Sequence, residues 1–333
     1  MEVHFPKPST NHFNMKKLLK ILGILLGLAI LAIAAGAAYI HFDGIPKYKT
    51  NPPQLTVTAD SAMVAEGKRL ATMVCSKCHM AASGLMEGHE MKDLPHQFGR
   101  AWTANITRDE KYGTGRYTDG ELAFLLRTGI KRDGQYAPPW MPKFPHLSDY
   151  DLQSIIAYLR SDAPELAPVS KAQPPSQPSF LTKFLSHVAF KPLPYPTGPV
   201  TAPPVTDKVA FGKYMCTGKV ECFSCHSPSF ETTNVMEPEK TPGYFSGGNA
   251  MPDKEGNIIF TRNLTPDKET GIGGWTEEQF IKAVKYGQRD GKPALRYPME
   301  PFPALTDEEA SAIYAYLQTI PAIKHDVDAI GAK

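Results

Sequence analysis

The longest apolar run stands close to the start of the chain. Ile21 to Ile40 contains no charged residue, and Lys16, Lys17 and Lys20 precede it. A run of this length, at about 1.5 Å per helical residue, matches a bilayer core of about 30 Å. It exceeds the apolar stretch of roughly 7–15 residues in a cleaved export signal. The pattern therefore predicts a transmembrane anchor over residues 18–40, with 1–17 as a cytoplasmic tail because basic flanks stay inside. Further along, apolar residues recur at helical spacing as Leu152, Ile155, Ile156, Leu159 and again as Ala310, Ile313, Tyr314, Leu317. Ser148-x-x-Asp151 and Thr306-x-x-Glu309 read as capping boxes opening these helices, and Thr118-x-x-Glu121 and Thr276-x-x-Gln279 open two more. Helices are also expected over about 62–74 and 207–215. No segment alternates as a half-buried strand does, so the expected class is all-α.

The same pattern occurs twice. Asn105-Ile106-Thr107-Arg108-Asp109 returns 158 residues later as Asn263-Leu264-Thr265-Pro266-Asp267. At that offset Gly129 matches Gly287, Met141 matches Met299, Leu147-Ser148-Asp149 matches Leu305-Thr306-Asp307, and Ala157-Tyr158-Leu159 matches Ala315-Tyr316-Leu317. A constant offset across such a stretch means two copies of one domain, expected at 58–163 and 205–325. Between them, 164–204 forms a proline-rich strap; the eleven prolines from Ser161 to Thr206 favour extended chain over helix. Its apolar island, Phe180, Leu181, Phe184 and Leu185, is expected to pack back onto a domain.

With 36 basic and 34 acidic residues, the chain shows no basic excess for nucleic acid. Four of its five cysteines fall in the motifs Cys75-Ser76-Lys77-Cys78-His79 and Cys222-Phe223-Ser224-Cys225-His226; Cys216 is left over. C-x-x-C-H is the attachment pattern of a c-type haem. Two thiols on one side of a tight turn reach the two vinyl groups on one haem edge, and the adjacent imidazole addresses the iron. A zinc site needs four ligands, but the pairs lie in separate repeats. A thioredoxin-like pair needs a βαβ context that is missing. The expectation is two covalently bound haem c groups on Cys75, Cys78, Cys222 and Cys225, with His79 and His226 as proximal iron ligands.

Many side chains compete for the distal position: Met80, Met86, His89, Met91 and His96 near the first motif, Met236 and Met251 near the second. Only Met141 and Met299 occupy equivalent positions in the repeat, each in a proline-rich loop before the last helix. Register therefore selects Met141 and Met299. Asn105 and Asn263 either bond around a haem edge or hold loop structure, and Cys216 reads as a buried thiol.

The order CxxCH, N-[IL]-T-x-D, G-x-G-x-[WY]-T, a Pro/Met loop and a final helix ending in A-Y-L resembles the class I cytochrome c domain. More closely, the chain is similar to the membrane-anchored cytochrome c subunits of bacterial alcohol, aldehyde and gluconate dehydrogenases, although it carries two haem motifs where the alcohol dehydrogenase subunits usually have three. The resemblance implies His/Met ligation, haem domains on the periplasmic side of the inner membrane, and redox partners among dehydrogenases, other cytochromes and oxidases. With both axial positions filled, the expected activity is single-electron relay. A dihaem enzyme of the peroxidase or thiosulfate dehydrogenase type is the alternative, and needs an open or unusually ligated iron.

Overall fold

One glycine in each copy of the repeat decides how its helices cross. In the computed structural model, which describes residues 1 and 15–330, α2 (Ser61–Val74) packs across α5 (Asp149–Arg160), and α7 (Lys208–Tyr214) packs across α10 (Asp307–Leu317). A Cβ on Gly67 would lie 1.8 Å from the Ser154 carbonyl oxygen; a Cβ on Gly212 would lie 1.9 Å from that of Ala312. Ser154 and Ala312 are repeat equivalents, so both copies use the same backbone-to-backbone approach. Around it close Leu70, Ala71, Ile155, Ile156 and Tyr158 in the first copy, and Phe211, Met215, Ala312, Ile313 and Tyr316 in the second, all buried. Each large apolar side chain enclosed in this way contributes about 1.5–3 kcal/mol.

The expected start signals are formed. Thr118 caps α4 (Asp119–Thr128), Thr276 caps α9 (Glu277–Tyr286) and Thr306 caps α10, each in a reciprocal box with Glu121, Gln279 or Glu309. Ser148 caps α5 through the Asp151 amide, but the Asp151 carboxylate accepts from the Tyr214 hydroxyl instead. Helices α4 and α9 end alike on Gly129 and Gly287, whose left-handed φ values of 81° and 72° suit glycine.

The copies differ at the end of α7. From Gly67 to Gly212 the offset is 145, whereas between the cysteine motifs it is 147. The two extra residues are absorbed in a π-helical turn over Met215–Lys219, which buries Cys216 completely. Strands are minor: β1 (Gly99–Arg100) pairs with β2 (Gln177–Pro178), and β3 (Ala250–Pro252) with β4 (Ile258–Phe260), both antiparallel. The described residues are mostly helical, with two small sheets that the sequence pattern does not signal.

The strap is stitched to the first copy through β2. The Thr182 hydroxyl donates to the Phe98 carbonyl at 2.7 Å, and the Leu193 amide to the Thr128 carbonyl at 3.1 Å. Its helix α6 (Phe180–Val188) corrects one expectation. The apolar island does not pack inward: Phe180, Leu181 and Phe184 are exposed, Leu185 is half-buried, and the buried positions are Thr182 and Ser186.

The chain falls into two units, Met1–Gly44 and the part from Ile45 onward, so both repeat copies belong to one body. The first unit is α1 (Met15–Asp43), a 29-residue helix with no buried residue that is long and apolar enough to cross a membrane. The expected anchor over 18–40 falls inside it; most of the expected cytoplasmic tail lies outside the described residues. Short helices α3 (Ser76–His79) and α8 (Cys222–His226) carry the cysteine motifs.

Candidate functional site

Each C-x-x-C-H motif occupies a single helical turn, reached directly from α2 in the first copy and through the π turn after α7 in the second. The amides of Cys78 and His79 donate to the Cys75 carbonyl at 3.1 and 3.0 Å. In the second copy the Ser227 amide donates to the Phe223 carbonyl at 3.0 Å. The four motif cysteines form no disulfide. Burial pushes the thiols of Cys75, Cys78 and Cys225 upward, so they stay protonated.

The histidines are set alike. His79 Nδ1 lies 2.8 Å from the Ala104 carbonyl oxygen, and His226 Nδ1 lies 2.9 Å from that of Arg262, positions 158 residues apart in the repeat. A carbonyl only accepts, so Nδ1 carries the proton in both rings and Nε2 presents its lone pair, the arrangement of a metal-ligating histidine with an oriented outer-shell partner. Burial lowers both imidazole pKa values and favours the neutral form. The next contact is duplicated too. The Gly88 amide donates to the His79 carbonyl, and the Gly247 amide to the His226 carbonyl. Both glycines have positive φ, and a Cβ there would strike the carbonyls of Thr103 and Thr261.

Met141 and Met299 are partly buried and pack against the core, each in the loop before the final helix of its copy. Their rivals divide. Met86 is a core residue at 1% exposure, whereas Met236 is exposed. His89 Nδ1 lies 2.8 Å from its neighbour Glu90's carbonyl oxygen. Asn105 and Asn263 hold loop structure. Each side-chain oxygen accepts from the backbone and hydroxyl of Thr107 or Thr265, and each amide reaches the segment beyond the last helix at Val169 or Ile323.

The residues fit a covalent haem better than a bare ion. Among the described residues, no group of three or more His, Cys, Asp and Glu gathers to hold a metal. What the chain offers in each half is a thiol pair, an imidazole whose Nδ1 is held by a carbonyl, and a thioether loop.

Two features beyond the reach of sequence reasoning bring the halves together. The first is an approximately two-fold interface. Arg69 of α2 makes a bidentate pair with Glu309 at 2.6 and 2.8 Å and bonds the Ala304 carbonyl at 3.0 Å. Its repeat equivalent Tyr214 donates to Asp151, the equivalent of Glu309, and accepts from the Ser148 amide at 2.9 Å. Lys219 lies between, 2.8 Å from Glu66 and 3.4 Å from both Asp151 and Glu309. Burial pushes the carboxyls of Glu66 and Glu309 up, but hydrogen bonds from Arg69 and the nearby Lys219 charge outweigh it and hold both below the usual carboxylate range.

The second feature is the approach of the motifs to each other. Lys77, inside the first motif, stands 4.3 Å above the Phe302 ring of the second copy and within electrostatic reach of Glu300 and Cys225. Tyr297 donates to Asp93 across the same seam. Glu221, directly before Cys222 and in the left-handed region at φ 56°, faces Lys143 from the Met141 loop. Burial pushes its carboxyl up to about 8 and the Lys143 ammonium down to about 7.

Comparison with known proteins agrees with this duplicated geometry. Residues 62–159 match the family described as cytochrome c oxidase, cbb3-type, subunit III, and residues 217–321 match cytochrome c. The cytochrome c subunit of the quinone alcohol dehydrogenase of Gluconacetobacter polyoxogenes is 29% identical over 282 residues, covering 80% of this chain and 58% of that protein. The gluconate 2-dehydrogenase cytochrome c subunit of Pantoea cypripedii is 25% identical over 276 residues, covering 79% and 61%. A dihaem cytochrome c-type protein of Cereibacter sphaeroides is 24% identical over 311 residues, covering 90% and 98%. The chain thus spans about three fifths of these two dehydrogenase subunits but nearly all of the dihaem protein. The two matched domains, with the haem, iron and electron transport that cytochrome c domains imply, make this chain a cytochrome c-type protein similar to dehydrogenase cytochrome c subunits, and its apolar N-terminal helix supports a membrane anchor.

Proposed function

We propose that the chain carries two covalent haem c groups and relays single electrons from a membrane or periplasmic dehydrogenase, or a quinol-oxidising donor, to a cytochrome or oxidase acceptor. One group is held by Cys75 and Cys78 with His79 and Met141 as iron ligands, the other by Cys222 and Cys225 with His226 and Met299. The observation that carries the proposal is the repeated histidine setting: the same turn, the same Nδ1-to-carbonyl bond and the same glycine amide behind it. The bound haem supplies a one-electron iron couple whose potential methionine ligation raises.

The chain's own residues do the rest. The carbonyls of Ala104 and Arg262 keep the ring protons on Nδ1 and aim Nε2. The Arg69–Glu309 and Tyr214–Asp151 contacts hold the halves at a fixed separation. Lys77 adds a positive charge where the motifs approach. With His79 and Met141 holding one iron and His226 and Met299 the other, neither would offer a position to a substrate, and the body would pass electrons without binding one. The anchor keeps it on the bacterial inner membrane, with the haem domains facing the periplasm. Relatives named as dehydrogenase cytochrome subunits support a dehydrogenase as donor.

The test is stopped-flow mixing of the haem-loaded protein with membranes containing a quinone-linked dehydrogenase and its substrate. Reduction of both haems, and reoxidation by a soluble cytochrome or a terminal oxidase, is the expected result. Sustained turnover of peroxide or thiosulfate by the purified protein contradicts it.

A further inference from the structure

Helix α6 inverts the usual arrangement of an amphipathic helix on a globular body. Its buried positions are Thr182 and Ser186, each 0% exposed, with the Thr182 hydroxyl on the Phe98 carbonyl and the Ser186 hydroxyl on that of Thr182. The opposite face carries Phe180, Leu181, Phe184 and Val188, exposed at 47%, 39%, 40% and 55%. At 100° per residue these four fall within about a third of the helix circumference. A nine-residue helix that points hydroxyls inward and two phenylalanines outward is costly in water. Contiguous exposed apolar surface of this kind marks a contact with something outside the body.

We propose that this face lies in the interfacial layer of the bilayer that α1 spans, giving the cytochrome body a second, non-covalent attachment. The inference rests on reading α1 as a membrane-spanning anchor and goes beyond that reading. Three observations select lipid as the occupant. The chain leaves α1 at Asp43 and enters the body at Ile45, so connectivity alone keeps the body beside a bilayer. The strap that carries α6 returns to that entry point. Leu193 bonds Thr128, Ile130 pairs with Tyr136, and the Tyr136 amide donates to Pro46; Val188 is only five residues from Leu193, a reach of at most about 18 Å. Finally, the sequence from Leu166 to Thr206 contains no aspartate or glutamate, while Lys183 lies within α6 and Lys191 just after it. Cationic residues around an exposed apolar helix face suit an anionic lipid surface.

The test uses the full haem-loaded chain, one copy per nanodisc, in bilayers containing a phosphatidylglycerol with a photoactivatable group on its acyl chain. After illumination, lipid adducts are mapped by peptide mass spectrometry. Adducts are expected on α1 and on the peptide spanning 180–188, the latter several-fold above the peptide spanning α9. Phe184→Glu should remove the α6 adducts and leave those on α1. Adducts on α1 alone overturn the proposal while the anchor stands, since single-copy discs exclude masking of α6 by a second copy. Absence of adducts from α1 instead defeats the anchor reading on which the proposal rests.

Discussion

Replacing Gly67 by alanine sets two quantifiable effects against each other. Helix propensity favours the change by about 1 kcal/mol, because alanine loses less backbone freedom than glycine in a helix. Packing opposes it. The new Cβ would sit 1.8 Å from the Ser154 carbonyl oxygen and 2.9 Å from the Tyr158 Cβ. Neither neighbour is the flexible end of a side chain, so α2 and α5 must separate by more than an ångström. A radial gap of about 0.5–1 Å already forfeits a quarter to a half of each contact's dispersion energy, and overpacking of this type costs about 1–3 kcal/mol, sometimes more. Packing wins, and the net loss is on the order of 2 kcal/mol. That corresponds to about 3 °C in Tm for a body running from Ile45 to Lys333, at about 2.1 cal/mol/K of unfolding entropy per residue. Gly212→Ala should cost a similar amount, because its Cβ would sit 1.9 Å from the Ala312 carbonyl. Thermal unfolding followed by far-ultraviolet circular dichroism and by the haem Soret band measures both. An unchanged or raised Tm in either variant would mean that propensity prevails, and would refute the shared close approach on which the two-copy architecture rests.

Other outcomes follow from the interface and the iron ligands. Arg69→Leu leaves Glu309, with its side chain 7% exposed, to the Lys219 ammonium and the Thr306 amide of its capping box; a loss of about 2 kcal/mol is expected, below the 3–5 kcal/mol of a fully buried pair because Arg69 is part-exposed, read as a lower denaturant midpoint. The folded-state pKa values of Glu66 and Glu309 lie below their ordinary 4.5, so their stabilisation is present above that pH and lost as pH falls through the depressed values; Tm should drop in that acid range, and Arg69→Leu should flatten the slope. Met141→His should remove one of two methionine–iron absorption bands and lower one haem potential in a redox titration, whereas Met251→Leu should leave both bands in place. Replacing Gly88 by valine should disturb the first haem's spectrum without altering the second, since its amide supports only the His79 carbonyl.

Much of this was legible in the chain because the repeat exposes what each copy needs. The reciprocal caps at Thr118, Thr276 and Thr306 depend on residues three apart, which any sequence displays. The pairing of Met141 with Met299 needed only the constant offset. What escaped sequence reading depends on contacts between distant segments. Arg69 and Tyr214 share a position but not a chemistry, so their matching roles at the seam appear only when the halves are folded together. The π turn at Met215–Lys219 shows in sequence as a two-residue shift, with nothing to say where it is absorbed. Helix α6 misled the pattern most. The dense prolines point to extended chain with an apolar island packed inward, yet the proline-free stretch Phe180–Val188 is helical and Phe98 recruits its hydroxyl face. Composition averaged over the strap shows neither the helix nor which side of it meets the body.

On this account each half of one compact body carries its own covalent haem on its own C-x-x-C-H turn. The most direct measurement is intact mass spectrometry of the protein after acid–acetone extraction, followed by peptide mapping. The predicted result is a mass equal to the polypeptide plus two haems, with one haem on the peptide containing Cys75 and Cys78 and one on that containing Cys222 and Cys225. A single retained haem, or a haem that leaves with the solvent, would contradict it.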